Sequence, residues 1–221
     1  MRAGAEKTMR EVPMEEKVEE FRAQGFTILP SFITEDVLKL LRAEADELIA
    51  RFTERGERAE DYWTYDVPGR ATPMLYRIHN LEKQGTPGIA ELFGGELQRD
   101  LAAKFIGERA RPTVCAMIVK SAGVAEVPWH RDRVNVPPAA ALNLSVYLDE
   151  SRAENGCFEL VPASHLLPDD AAPIAVRDRG PTVRVPAAPG DVLVHDVRLV
   201  HGSGPNDGEL VRRSVITEFA A

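Results

Sequence analysis

The chain reads as a mainly β fold, a jelly roll with a helical buttress on one sheet. Three observations predict this. Its 221 residues suffice for one domain with a substantial core, and a β-sandwich or barrel of that length is ordinary. Helical patterns crowd the N-terminal half. From Pro112 onward the character changes, and short strand-like runs alternate with Pro, Gly, Asp and Asn turns. Helices first and many short strands after give a sandwich covered by helices.

Taken in order, residues 1–12 are polar and expected to be loose. A short helix is predicted from about Glu15 to Gln24, with Val18 and Phe21 on one face and Gly25 as its C-terminal cap. Phe26-Thr27-Ile28-Leu29-Pro30 reads as a short strand closed by proline. The next helix is the clearest. Thr34 can cap it, Glu35 and Asp36 suit the positive end of its dipole, and Val37, Leu40, Leu41, Ala45, Leu48, Ile49 and Phe52 form a helical stripe.

Residues 55–75, with Tyr62, Trp63, Tyr65, Pro68, Gly69 and Pro73, read as an irregular lid or binding loop. A further helix covers Glu96 to Ile106 and stops at Gly107. The strand candidates are Thr113–Lys120, Ala141–Leu148, Cys157–Val161, Thr182–Val185, Val192–Val194 and Arg212–Phe219. Asn155-Gly156 is a strong hairpin-turn signal. With no internal repeat or low-complexity segment, the expectation is one domain over 1–221. Residues 13–110 form the helical and loop buttress, and 111–221 the jelly-roll core.

Hydrophobic residues at 44% and charged residues at 28% fit a soluble globular protein. A net charge of −8 argues against nucleic acid and against an anionic membrane as partners. No apolar run is long enough to span a bilayer. The N-terminus, with Arg2, Glu6, Lys7 and Arg10, lacks the apolar core of a signal peptide, so a cytoplasmic location is the expectation. Cys115 and Cys157 lie in apolar runs without a CxxC pattern and read as buried, reduced thiols. Oligomeric state is not legible.

The chemistry concentrates in Trp129-His130-Arg131-Asp132, read with His201 and Arg212. In an extended segment, residues two apart share a face, so the His130 imidazole and the Asp132 carboxylate can reach one ion. A distal histidine completes a two-histidine, one-carboxylate triad, the donor set that leaves open positions on Fe(II) for oxygen chemistry. His195 and His201 compete for that place. His201 sits in the turn-rich His-Gly-Ser-Gly-Pro-Asn, which can aim a side chain inward, whereas His195 reads as a strand-end residue. His79 and His165 read as substrate-facing or structural. Arg212, Ser214 and Ile216 share one face of the last strand, and Arg213, Val215 and Thr217 the other, so one arginine points inward. An inward arginine needs an anionic partner, which a ligand carboxylate can supply. Arg213 is expected to make a surface ion pair.

These residues resemble the phytanoyl-CoA dioxygenase family of Fe(II)/2-oxoglutarate-dependent oxygenases. The likeness runs from Gly25-Phe26-Thr27-Ile28-Leu29-Pro30 and the helix at Thr34 through Trp129-His130-Arg131-Asp132. It continues through Glu154-Asn155-Gly156-Cys157-Phe158-Glu159-Leu160-Val161-Pro162-Ala163-Ser164-His165, then Gly190-Asp191-Val192-Leu193-Val194, His201-Gly202-Ser203-Gly204-Pro205-Asn206 and Arg212. Each motif alone is unspecific; their order is specific. The resemblance implies a double-stranded β-helix, the cupin-like form of jelly roll. It implies Fe(II) held by His130, Asp132 and His201, and 2-oxoglutarate held through its distal carboxylate by Arg212, with Ser203 as a hydrogen-bond donor. Asn143, Ser145 and Tyr147 share one strand face and are expected to line the pocket. Tyr76-Arg77-Ile78-His79-Asn80 resembles a family segment that contacts cosubstrate or substrate. Asp132 argues against halogenation, because related halogenases replace that carboxylate with a small residue.

The implied reaction consumes O2 and 2-oxoglutarate and oxidises a C–H bond. Hydroxylation is the default outcome, with desaturation, epimerisation or cyclisation as variants. The substrate is expected to be a small or medium polar metabolite, such as a secondary-metabolite intermediate. The alternatives are a cupin-like isomerase or lyase that does not use 2-oxoglutarate, which would not need Arg212 and Ser203, and a non-catalytic module, which would have lost a metal ligand.

Overall fold

The computed structural model describes residues 13–54, 60–66 and 71–221. The expected loose segment 1–12, and residues 55–59 and 67–70 of the expected loop, lie outside the described residues. Helix α1 spans Met14–Gln24 and stops at Gly25, whose φ of 82° few other residues adopt and whose N–H donates to Phe21 O at 2.7 Å. The reversal leads into strand β1, Phe26–Leu29. Helix α2 spans Glu35–Thr53 behind Thr34, but the Thr34 hydroxyl makes no capping hydrogen bond, so the acidic first turn alone complements the dipole. Its buried ridge is Leu38, Leu41, Ala45, Leu48 and Phe52. Leu40, expected on the stripe, is 48% exposed because it lies off that ridge; it rests over Gly88.

The expected irregular loop at 55–75 contains regular structure. Strands β2, Tyr62–Tyr65, and β3, Met74–His79, pair antiparallel. Four residues are too few to show alternation, and the stacking of Tyr62 on Phe52 at 5.8 Å is a tertiary contact. Helix α3, Pro87–Gly94, was likewise too short to declare a period; α4, Glu96–Ile106, ends at Gly107 as expected. The β-rich half then runs β4 (Arg111–Lys120), β5 (Val127–His130), β6 (Ala141–Tyr147), β7 (Phe158–Leu160), helix α5 (Pro173–Arg179), β8 (Val183–Val185), β9 (Val192–Asp196), β10 (His201–Ser203) and β11 (Arg212–Ala220). All six strand candidates appear within two residues of their expected ends. The short β5 and β10 did not register as strands.

The strands form a seven-stranded sheet, β1-β9-β6-β11-β4-β3-β2, and a four-stranded sheet, β5-β10-β7-β8. This is the jelly-roll, double-stranded β-helix architecture with helices on the larger sheet. Asn155-Gly156 does not make a hairpin, because β6 and β7 belong to different sheets. A 3₁₀ turn over Ala153–Asn155 and Gly156 at φ 71° carries the chain between them. The Asn155 side chain accepts from Arg152 N–H and donates to Glu150 O, both at 2.7 Å.

Alternation on β6 and β11 sets up the site. Leu142, Leu144, Val146, Val215 and Phe219 pack in one core with Leu41, Leu48, Leu101 and Phe105 of the helices. The opposite faces, Asn143, Ser145 and Tyr147 on β6 and Arg212, Ser214, Ile216 and Glu218 on β11, turn into a cavity between the sheets. Among the described residues, no helix is long and apolar enough to cross a membrane.

Arg213 departs from expectation: it is 7% exposed rather than at the surface. Its Nε and Nη2 donate to the two oxygens of Asp149 at 2.7 and 3.0 Å, and Nη1 pairs with Asp46 at the rim. Its backbone N–H also donates to Asp149, at 2.9 Å. Arg213→Ala removes the hydrogen-bonded counter-charge of the largely enclosed Asp149, leaves it only Arg42 Nε at 4.0 Å, and is expected to cost about 3 kcal/mol of folding stability. Denaturant unfolding followed by circular dichroism measures it, and a loss below about 1 kcal/mol, the value of an exposed pair, restores the surface reading.

Candidate active site

His130 ends β5 and His201 opens β10, and the two are partners in the antiparallel register. Their rings lie 4.3 Å apart, centroid to centroid. Asp132 follows two residues after His130, just beyond the strand. His130 Nε2 is 3.5 Å from Asp132 Oδ1, and His201 Nε2 is 3.7 Å from Asp132 Oδ2. The ligand atoms of the three side chains all lie within 4.8 Å of one another, a group able to hold a metal ion. The intervening Arg131 donates to Arg198 O at 2.9 Å and Ala171 O at 2.6 Å, which anchors the H-x-D segment.

The histidines differ in how their second nitrogen is held. His130 Nδ1 lies 2.8 Å from Pro128 O, and His201 Nδ1 lies 2.9 Å from Leu199 O. A carbonyl only accepts, so each Nδ1 carries the proton and each Nε2 offers a lone pair to the metal position. His195 is the opposite case. Its Nε2 is 3.2 Å from Asp132 Oδ2, and its buried Nδ1 has no partner among the described residues. The consistent tautomer protonates Nε2, which donates to the carboxylate and leaves only a lone pair unsatisfied. Asn143 Nδ2 donates to the same Asp132 Oδ2 at 2.9 Å. Two donors converge on Oδ2, leaving Oδ1 toward His130. The sequence marks His195 as a strand-end residue, and it does sit near the end of β9, but pairing with β6 and β1 brings it against Asp132.

Burial pushes the His201 imidazole down to about 3, so it is neutral near pH 7. Burial would raise the Asp132 carboxyl, but His201 and the hydrogen bonds from His130 and His195 hold it well below the ordinary carboxylate range. Burial would lower His130, but the hydrogen bond and charge of Asp132 raise it above its ordinary value. The state at neutral pH, an ionised carboxylate and a neutral His201, is the one that binds a metal.

The cavity has a volume of about 360 Å³. Of the residues singled out from sequence, His130, Asp132, His201, Arg212, Ser203, Ser145, Arg77, His79, Asn143 and Tyr147 all line it. Tyr76 does not: alternation along β3 sends Arg77 and His79 inward and sets Tyr76 near Tyr65, ring centroids 5.8 Å apart. His165 lies elsewhere, buried with Nε2 3.2 Å from Arg22 O. Trp63, placed in an unstructured loop by sequence reading, packs 4.0 Å from the His79 ring at the cavity wall. Phe158, 4.8 Å from His201 and 4.9 Å from His195, walls both rings.

At the other end of β11, Arg212 is buried, and its Nε has no hydrogen-bond partner among the described residues. Beside it stands Lys120, which sequence reading missed. It is the register partner of Arg212 on β4 and is 1% exposed. Its Nζ donates to Ser203 Oγ at 2.7 Å and also to Gly204 O. As an ammonium Lys120 only donates, so in that state Ser203 accepts from it and keeps its own O–H for the cavity. Burial, and then the charge of Arg212, push Lys120 down to about 7. The signal was available, since Val114, Ile118 and Lys120 share the inward parity of β4.

Two consequences can be measured on the apo-protein titrated with Co(II) or Fe(II). Because a metal must displace the His130 proton, and that pKa is raised, affinity falls as pH drops through a value above 6.5. Affinity flat through that range would remove His130 from the ligand set. His195→Phe, which keeps a ring but deletes the donor to Asp132, is expected to weaken metal binding about 10–100-fold without abolishing it. Complete loss would make His195 a ligand.

Comparison with known proteins agrees with this geometry. The family model for phytanoyl-CoA dioxygenase matches residues 21–214. The crystal structure of AviO1 from Streptomyces viridochromogenes Tue57 is 47% identical, with a TM-score of 0.90 over 96% of this chain and 97% of that one. That of EvdMO1 is 49% identical with a TM-score of 0.88; the alignment covers 96% of this chain and half of the longer one. A probable alpha-ketoglutarate-dependent hypophosphite dioxygenase of Stutzerimonas stutzeri is 27% identical over 93% of this chain and 78% of its own. With the family model spanning most of the chain and the metal triad in place, the protein belongs to the phytanoyl-CoA dioxygenase family.

Proposed function

We propose that the chain is an Fe(II)- and 2-oxoglutarate-dependent oxygenase that oxidises a C–H bond of a small or medium metabolite. In this reading His130, Asp132 and His201 hold the iron, and Arg212, Ser203 and Lys120 hold the distal carboxylate of 2-oxoglutarate. The observation that carries it is one cavity with two chemically different ends. One end is a metal triad of two imidazole lone pairs and a carboxylate. The other is a buried guanidinium with an unpartnered Nε, flanked by a hydroxyl and an ammonium.

Both ends fit the groups assigned to them. Two imidazoles and one carboxylate leave three positions open on an octahedral ion. The unpartnered Nε of Arg212 is what a carboxylate completes. When bound, Fe(II) and 2-oxoglutarate supply the oxidising power: O2 and the keto acid are consumed, succinate and carbon dioxide are released, and a substrate C–H bond is oxidised. The protein's own contribution is placement. Arg212 and Ser203 orient the cosubstrate, and Asn143 and His195 hold Asp132 in one rotamer. Phe158 and Tyr147 exclude water from the imidazoles and from Arg212. Arg77 and His79 then face the substrate side of the cavity, which favours a polar substrate. An isomerase or lyase using the metal alone would leave Arg212 without an anion.

Anaerobic addition of Fe(II) and then 2-oxoglutarate is expected to develop the weak visible charge-transfer band of the chelate. His130→Ala or Asp132→Ala should abolish both the band and turnover while the fold persists. Arg212→Ala should raise the 2-oxoglutarate requirement at least tenfold, the loss of one charge-assisted pair. Failure of the band with iron demonstrably bound would leave the metal-only enzyme. Because Lys120 titrates near 7, 2-oxoglutarate affinity should fall as pH rises above about 7, since an ammonium must then be regenerated to meet the carboxylate. Lys120→Met should bind more weakly and lose that slope; an unchanged slope removes Lys120 from the anchor.

A further inference from the structure

The inward face of β11 begins with Arg212 and ends, six residues and about 20 Å of extended chain later, at Glu218. Glu218 is the register partner of Asn143, which itself touches Asp132. It therefore occupies the half of the cavity that a cosubstrate reaching from Arg212 to the metal leaves open. At 7% exposure, its carboxylate needs partners for both oxygens. Oε1 has two: Thr113 Oγ1 donates to it at 2.6 Å, and Arg133 Nη2 lies 2.5 Å away. No hydrogen bond falls on Oε2 among the described residues, and Glu218 lines the cavity.

We propose that Glu218 is a substrate-recognition residue whose Oε2 accepts a hydrogen bond from a hydroxyl of a neutral substrate, beside the C–H bond to be oxidised. This rests on the oxygenase reading above. The local charge argues for a neutral group. Arg133 offsets Glu218 directly, and Arg77 on β3 faces both Asp132 and Glu218, giving two guanidiniums against two carboxylates. An ammonium gains little there, and an anion meets the bare Oε2. A hydroxyl both donates and accepts. It can give its hydrogen to Oε2 and receive one from Arg77, whose buried Nε has no partner among the described residues. Trp63, 46% exposed and 5.8 Å from the Arg77 guanidinium, offers an apolar face to the carbon skeleton between such hydroxyls.

The test uses the anaerobic Fe(II)·2-oxoglutarate complex and its visible band. The probes are two neutral polyols, meso-erythritol and myo-inositol, and two charged ones, ethanolamine and glycolate, each taken to high concentration. The polyols should shift the band, and the charged probes should not at matched concentration. Glu218→Leu should still form the band, which shows an intact fold and cosubstrate site, but should weaken polyol binding about tenfold or more. Arg133→Gln keeps Glu218 and bares its charge, so preference should move toward ethanolamine. The proposal is overturned if no polyol shifts the wild-type band, or if Glu218→Leu responds like wild type. It is also overturned if Arg133→Gln merely copies Glu218→Leu, which would mean that the ion pair is structural. If the band never forms, the oxygenase reading itself fails and this inference falls with it.

Discussion

The centre depends on one strand pairing. Antiparallel contact between β5 and β10 sets His130 opposite His201, and each ring is oriented by a backbone carbonyl two residues earlier in its own chain. Neither imidazole relies on a mobile side chain for its tautomer. The carbonyls of Pro128 and Leu199 are fixed by the backbone, so the two Nε2 atoms point at Asp132 before any metal arrives. Preorganisation of this kind removes the ordering cost that binding would otherwise carry.

The pairing has a cost that the rest of the fold absorbs. Turning His195, Asn143, Arg212, Lys120 and Glu218 inward places many polar groups between two sheets, where unsatisfied groups destabilise by about 1–3 kcal/mol each. Most are satisfied by one another: Asn143 and His195 on Asp132, Lys120 on Ser203, Thr113 and Arg133 on Glu218. The unpartnered Nε atoms of Arg212 and Arg77 both line the cavity, where ligands bind. The helices supply the compensation. Leu41, Leu48, Leu101 and Phe105 bury the opposite face of the same strands, so each central strand is apolar toward the helices and polar toward the cavity.

Local pattern alone made much of this legible. The amphipathic stripe of α2, the glycine stops after α1 and α4 and the longer strands follow from side-chain periodicity, which is a property of the chain within a few residues. The H-x-D spacing placed an imidazole and a carboxylate together for the same reason. The short elements escaped: β2, α3 and α5 are stabilised by neighbours rather than by their own period, and β5 and β10 contain too few residues to alternate.

The sequence by itself determined which side chains share a face, because that needs only the two-residue repeat of a strand, and through ordered motifs it determined the family. Tertiary structure decided which faces meet. That His201 rather than His195 offers a lone pair rests on the position of the Leu199 carbonyl and on the absence of any such acceptor near His195 Nδ1 among the described residues. That Lys120 stands beside Arg212, that Trp63 walls the cavity, and that Glu218 is clamped on one oxygen rest on register between strands distant in the chain. Register of that kind is a balance of packing over whole sheets, and no single segment encodes it.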